Sequence, residues 1–107
     1  MNYIEHYDEE LDAVFEIPEF DMSGYQELDD FLAQNEALLQ AAVLSALHNA
    51  IELGLELIPV FAVKESDFVV SLARDQFGEK LASCLEYFTQ VEEYEICAVL
   101  TKLKKKL

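Results

Sequence analysis

A chain of 107 residues has room for one hydrophobic core and little surplus for a second lobe. Its hydrophobic fraction of 52%, with seven Phe and five Tyr against 27% charged residues, argues against wholesale disorder. Twenty-two Asp and Glu face seven Lys and Arg, and a net charge of -15 disfavours direct contact with nucleic acid or an anionic membrane while attracting a basic protein surface.

Residues 1–22 read as an acidic N-terminal arm in front of a single α+β domain spanning 23–107. The arm carries Ile4, Tyr7, Leu11, Val14 and Phe15 at steps of three and four, a helical spacing that Pro18 would end. Two readings stay open for it: loose packing on its own domain, or an aromatic face that docks in a groove of a partner. Ser23 reads as an N-cap for a short helix whose apolar side is Tyr25, Leu28, Phe31 and Leu32. Asn35 then marks a break. From Glu36 to Leu53 nearly every position is apolar and Gly54 follows, so a central helix buried on most of its circumference is expected.

The runs "LIPVFAV" (57–63) and "FVVSLA" (68–73) flank a four-residue turn and predict one β-hairpin, with an outer edge at Pro59, which has no amide hydrogen for a ladder. Two strands alone are marginal, so they must lie on the central helix or join strands of another subunit. After Asp75, a possible cap, Phe77, Leu81, Cys84, Leu85 and Phe88 share one helix side. Tyr94, Cys97, Ala98, Leu100, Leu103 and Leu107 line the next. The expected fold class is therefore α+β but mostly helical: a central buried helix, one β-hairpin and a C-terminal antiparallel helical hairpin.

The last helix combines Glu92, Glu93 and Glu95 at its start with Lys102, Lys104, Lys105 and Lys106 at its end, each sign complementing the helix macrodipole. Charge is segregated along the whole chain: residues 1–36 hold twelve carboxylates and no Lys or Arg, so the lysines could face the acidic arm of the same chain or of a second copy. Glu93, Tyr94, Glu95, Cys97, Ala98 and Leu100, following Leu81, Cys84, Leu85 and Phe88, resemble the UVR motif over about residues 79–107. That resemblance implies protein docking through an apolar hairpin face and brings no catalytic residue. An ordinary amphipathic helix entered through acidic residues is the alternative.

Little in the chain is equipped for chemistry. Cys84 and Cys97 lie at similar distances from the expected turn; two cysteines without a signal-peptide pattern suggest a reducing, cytoplasmic setting, and buried thiols and a redox pair across the hairpin both stay open. His48 and Glu52 share a helix face without companion ligands, and "DEELD" (8–12) lacks the oxygen spacing of a calcium loop. No glycine-rich phosphate loop or nucleophile arrangement is present. The sequence thus predicts a non-enzymatic protein–protein interaction module, an adaptor or inhibitor, without metal or cofactor and able to form a homodimer. The residues expected to carry binding are Tyr7, Asp8, Glu9, Glu10, Leu11, Asp12 and Phe15 of the arm, Asp29 and Asp30, and Glu92, Glu93, Tyr94 and Glu95. The rival expectation is a nucleic-acid mimic occupying the basic cleft of a DNA- or RNA-binding protein, since small phage-encoded inhibitors of bacterial defence are similar in size and charge.

Overall fold

Aromatic and β-branched residues on either side of an acidic turn cluster suit the pleated, half-buried surface of a strand. In the computed structural model, which describes residues 2–107, Asn2–Asp8 is strand β1 and Ala13–Phe20 is strand β2, paired antiparallel with Ile4 opposite Ile17 and His6 opposite Phe15. The mostly helical fold with one β-hairpin is thereby corrected. The chain is α+β with a four-stranded mixed sheet in the order β1-β2-β3-β4 and four α-helices, roughly half helix and a quarter strand. The three- and four-residue steps of the arm suggested a helix. In the paired strands its side chains alternate between two faces instead, and Ile17 is buried on a face that helical spacing would not single out.

The second hairpin is Leu57–Val63 (β3) and Val69–Ala73 (β4), antiparallel, with a bulge between Pro59 and Phe61. β2 and β3 run parallel, but the ladder between them holds only two pairs, Glu19 with Ala62 and Phe20 with Val63. Proline explains the limit. Pro18 immediately precedes the paired part of β2 and Pro59 lies three residues before it in β3, and neither can donate a ladder hydrogen bond. Below those two pairs the hairpins part.

Phe20 ties the seam to the core. Its ring meets Phe31 and Phe61 edge-on at 5.6 and 5.1 Å, and its carbonyl accepts from the Lys64 amide at 2.8 Å. Burying such a ring contributes about 2–3 kcal/mol. Phe31 comes from α1 (Leu28–Gln34), which starts four residues later than Ser23 predicts because Gly24 is left-handed and Ser23 instead donates to Asp21. Leu28 and Leu32, expected inside, are exposed.

Helix α2 (Glu36–Leu53) ends at Gly54, whose left-handed φ of 68° lets the Leu55 and Gly54 amides close the last turn on Ala50 and Ile51. It packs against β3, α3 (Phe77–Gln90) and α4 (Tyr94–Lys106). Its burial is narrower than expected: Ala42, Ala46, Leu47, Ala50 and Ile51 are buried, whereas Leu38 and Leu53 are exposed. Phe77, Leu81, Cys84 and Phe88 of α3 and Leu100 and Leu103 of α4 complete the core.

A hairpin joined to the body by two parallel pairs and three apolar side chains, Phe15, Ile17 and Phe20, should open locally before the core does. In native-state hydrogen exchange, the paired amides of β1 and β2 should open at least about 2 kcal/mol more easily than those around Leu47 and Ala50. Equal protection in the two regions would show a single cooperative unit.

Candidate functional site

The tip of the first hairpin is built by its own acids. Asp8 Oδ1 accepts from the amides of Glu10 at 3.0 Å and Leu11 at 3.2 Å, closing the turn between β1 and β2. Asp12 sits in the left-handed region at φ 49°, where a short polar side chain is tolerated, and accepts a 2.7 Å hydrogen bond from the Tyr7 hydroxyl. Two carboxylates of "DEELD" therefore shape the turn, while Glu9 and Glu10 stand exposed. The negative acceptor Asp12, with Asp8 nearby, holds the Tyr7 phenol above its ordinary value of 10.0.

Register divides the hairpin into two faces. Tyr3, Glu5 and Tyr7 lie opposite Pro18, Glu16 and Val14 on one, and Ile4, His6 and Asp8 lie opposite Ile17, Phe15 and Ala13 on the other. Tyr3, Tyr7 and Val14 are each more than half exposed. Phe15 thus lies on the opposite face from Tyr7, so the expected continuous aromatic face of Tyr7, Leu11 and Phe15 does not form. Tyr7 instead shares its face with Tyr3, Glu5, Val14 and Glu16; of these the sequence reading named only Val14, as part of a helical stripe, and missed the other three. The signal was the alternation in "NYIEHYD", legible only once the segment is read as a strand.

Glu5 and Glu16 are directly opposite each other, a like-charged pair that costs roughly 0.2–1 kcal/mol. Among the described residues one salt bridge forms, between Lys106 of α4 and Glu52 of α2, and it holds the Glu52 carboxyl below its ordinary value. Lys106 therefore turns to α2 and not to the acidic hairpin. Lys102 and Lys105 line the same shallow cleft beside His48.

The remaining expected binding residues lie elsewhere. Asp29 and Asp30 are exposed in the first turn of α1, and Asp30 borders a shallow cleft with Tyr25 and Gln34. Tyr94 and Glu95 are exposed in the first turn of α4, and Glu92 and Glu93 lie in the exposed turn between α3 and α4. There the Glu92 and Glu93 amides donate to Thr89 and Phe88 carbonyls, closing α3 with a left-handed residue at the position glycine favours. Glu92, at φ 62°, pays roughly 1 kcal/mol of strain for that conformation.

A cleft of about 130 Å³ opens where the two hairpins part, walled by Ile17, Pro18, Pro59 and Val60 and floored by the small residues Ala41, Ala42 and Ser45 of α2. No group of three His, Cys, Asp or Glu is placed to hold a metal among the described residues. No helix there is long and apolar enough to cross a membrane. Cys84 and Cys97 are free and differently engaged: Cys84 Sγ lies 3.2 Å from Gln40 Oε1, and Cys97 Sγ lies 3.4 Å from Thr89 Oγ1. Burial pushes the Cys84 thiol up to about 11 from 9.0, partly offset by Lys80. Comparison with protein-family models, with curated proteins and with solved structures returns no match.

Replacing Asp12 with Gly keeps a residue suited to positive φ and deletes the acceptor. In an ultraviolet phenolate titration, one of the five tyrosines of Asp12→Gly should ionise at lower pH than in the wild type. An unchanged curve would deny the bond its effect.

At pH 8 an alkylating reagent should modify Cys97 while Cys84 reacts only on unfolding. The folded thiol holds its proton more tightly than the unfolded one. Its stabilising contribution is therefore full below about pH 9 and lost as pH rises through about 11. Comparing urea midpoints of wild type and Cys84→Ala across that range should show the wild-type advantage shrinking, at up to about 1.4 kcal/mol per pH unit.

Proposed function

We propose that this chain is a non-enzymatic protein–protein interaction module, an adaptor or inhibitor, and that the acidic face of the β1–β2 hairpin receives a basic surface of its partner. One observation carries the reading: Tyr3, Tyr7 and Val14 are exposed around Glu5 and Glu16, which face each other and, among the described residues, form no ion pair with Lys or Arg. A pair that lowers the stability of an isolated hairpin becomes favourable once Lys or Arg of a partner lies between its carboxylates. Tyrosine beside it offers contact area and a ring face for the same cations.

The α3–α4 turn supports a second contact in the same proposal. Tyr94 is exposed and is flanked in the chain by the exposed Glu92, Glu93 and Glu95, and the likeness of 79–107 to the UVR motif suggests docking through that hairpin. Two free cysteines fit a cytoplasmic setting. The rival reading, a nucleic-acid mimic, draws on the same uncompensated carboxylates. It differs in requiring that DNA or RNA compete for the partner and that binding weaken steeply with salt.

Glu5→Lys separates stability from function. It turns a repulsive cross-strand pair into an attractive one and should raise hairpin stability by roughly 0.5 kcal/mol. The same change should weaken binding about tenfold or more to a partner captured from the source cell and identified, with a shallower salt dependence. Unchanged affinity and salt slope would remove the hairpin from the interface. Displacement of the chain by duplex DNA would favour the mimic.

A further inference from the structure

The sheet has two outer edges, and they differ in charge. Along β1, Glu5 and Asp8 would set carboxylates of two copies side by side, so that edge rejects its own kind. β4 reads "VVSLA" without a charged residue, and its outer backbone donors and acceptors have no strand beside them. Phe68, just before β4, is 61% exposed. Its carbonyl accepts from the Val63 amide at 3.0 Å, extending the ladder that pairs Phe61 with Val70, so Phe68, Val70 and Leu72 alternate onto one face.

On that face lies an apolar groove of about 480 Å³, bordered by Leu32, Leu39, Val43, Phe61, Val70 and Leu72. Its charged lining residues are Glu36 and Lys80, one of each sign. An exposed phenylalanine beside an apolar groove, on an uncharged edge, is a self-complementary arrangement. Each copy then supplies the plug and the socket together, and a two-fold axis closes the assembly.

We propose that β4 pairs antiparallel with β4 of a second copy about a two-fold axis at Val70, and that Phe68 of each copy docks beside Leu72 in the groove of the other. Symmetry and sequence select this register. An axis at Ser71 would set Phe68 opposite Arg74 and Asp67 opposite Asp75, whereas the axis at Val70 matches Phe68 with Leu72. The acidic hairpin does not oppose the contact. β1 lies three strand spacings from β4, about 14 Å, beyond the screening length of about 8 Å at physiological salt.

Sedimentation of the full chain across micromolar to millimolar concentrations should show twice the monomer mass, and Phe68→Lys should sediment as a folded monomer by circular dichroism. In a Cys97→Ser background, Val70→Cys should form an interchain disulfide under mild oxidation, because directly opposed strand residues approach to about 4.5–5.5 Å between Cα atoms. Ser71→Cys, off the axis and on the other face, should not. A wild type that stays monomeric throughout, a dimer that survives Phe68→Lys, or preferential cross-linking of Ser71→Cys would each overturn the proposal. Because none of these readouts involves the hairpin or its partner, the outcome is independent of the binding role assigned to β1 and β2.

Discussion

A proline has no amide hydrogen to give, and the two prolines of this chain stand on the two strands that meet at the centre of the sheet. Pro18 and Pro59 leave β2 and β3 only two paired positions, Glu19 with Ala62 and Phe20 with Val63. Much of the architecture is arranged around that short seam. Phe20 supplies the anchor the ladder lacks by inserting its ring between Phe31 and Phe61. The small residues of α2 come up beneath the gap, where larger side chains would fill the cleft. The first hairpin is left projecting, with most of one face in water.

The projecting hairpin carries charge that the packed body would not accept. Inside, every buried residue of the core is apolar or a thiol, and burial raises the Cys84 thiol enough to keep it neutral. Outside, carboxylates close the hairpin turn at Asp8 and Asp12 and remain uncompensated at Glu5 and Glu16. Local structure and recognition thus draw on the same residue type in different ways. One set accepts hydrogen bonds from its own backbone and from Tyr7, and the other presents charge outward. A weakly seamed hairpin also has the freedom to adjust to what it meets, at the cost of ordering it on binding.

Elements with strong local chemistry were legible in the sequence. Gly54 ends α2 because a left-handed residue is needed there, and the turn between "LIPVFAV" and "FVVSLA" separates β3 from β4. The first hairpin was not legible, because Ile4, Tyr7, Leu11, Val14 and Phe15 fit a helical step by coincidence and a strand is defined by partners the local pattern does not name. Ser23 caps no helix, because its amide and hydroxyl both donate to the Asp21 carboxylate, and α1 starts after Glu27 without a side-chain cap. Of the candidate site, the acidic character of the tip could be read directly. The partition of Tyr7 and Phe15 onto opposite faces required the register, and so did the meeting of Glu5 with Glu16.

The unequal edges of the sheet give the two proposed contacts different physical currencies and different places. Pairing through β4 relies on backbone hydrogen bonds and on an apolar ring in a groove, which salt strengthens or leaves alone. The hairpin relies on charge and tyrosine, which salt weakens. Joined at β4, two copies form a sheet of eight strands whose outermost members are the two β1 strands, seven spacings or about 34 Å apart. The acidic faces then stand at opposite ends of one assembly, each on its own weakly seamed hairpin. A partner with two basic surfaces at a matching distance gains from both at once, because the second contact becomes intramolecular, whereas a partner with one surface gains nothing from the pairing.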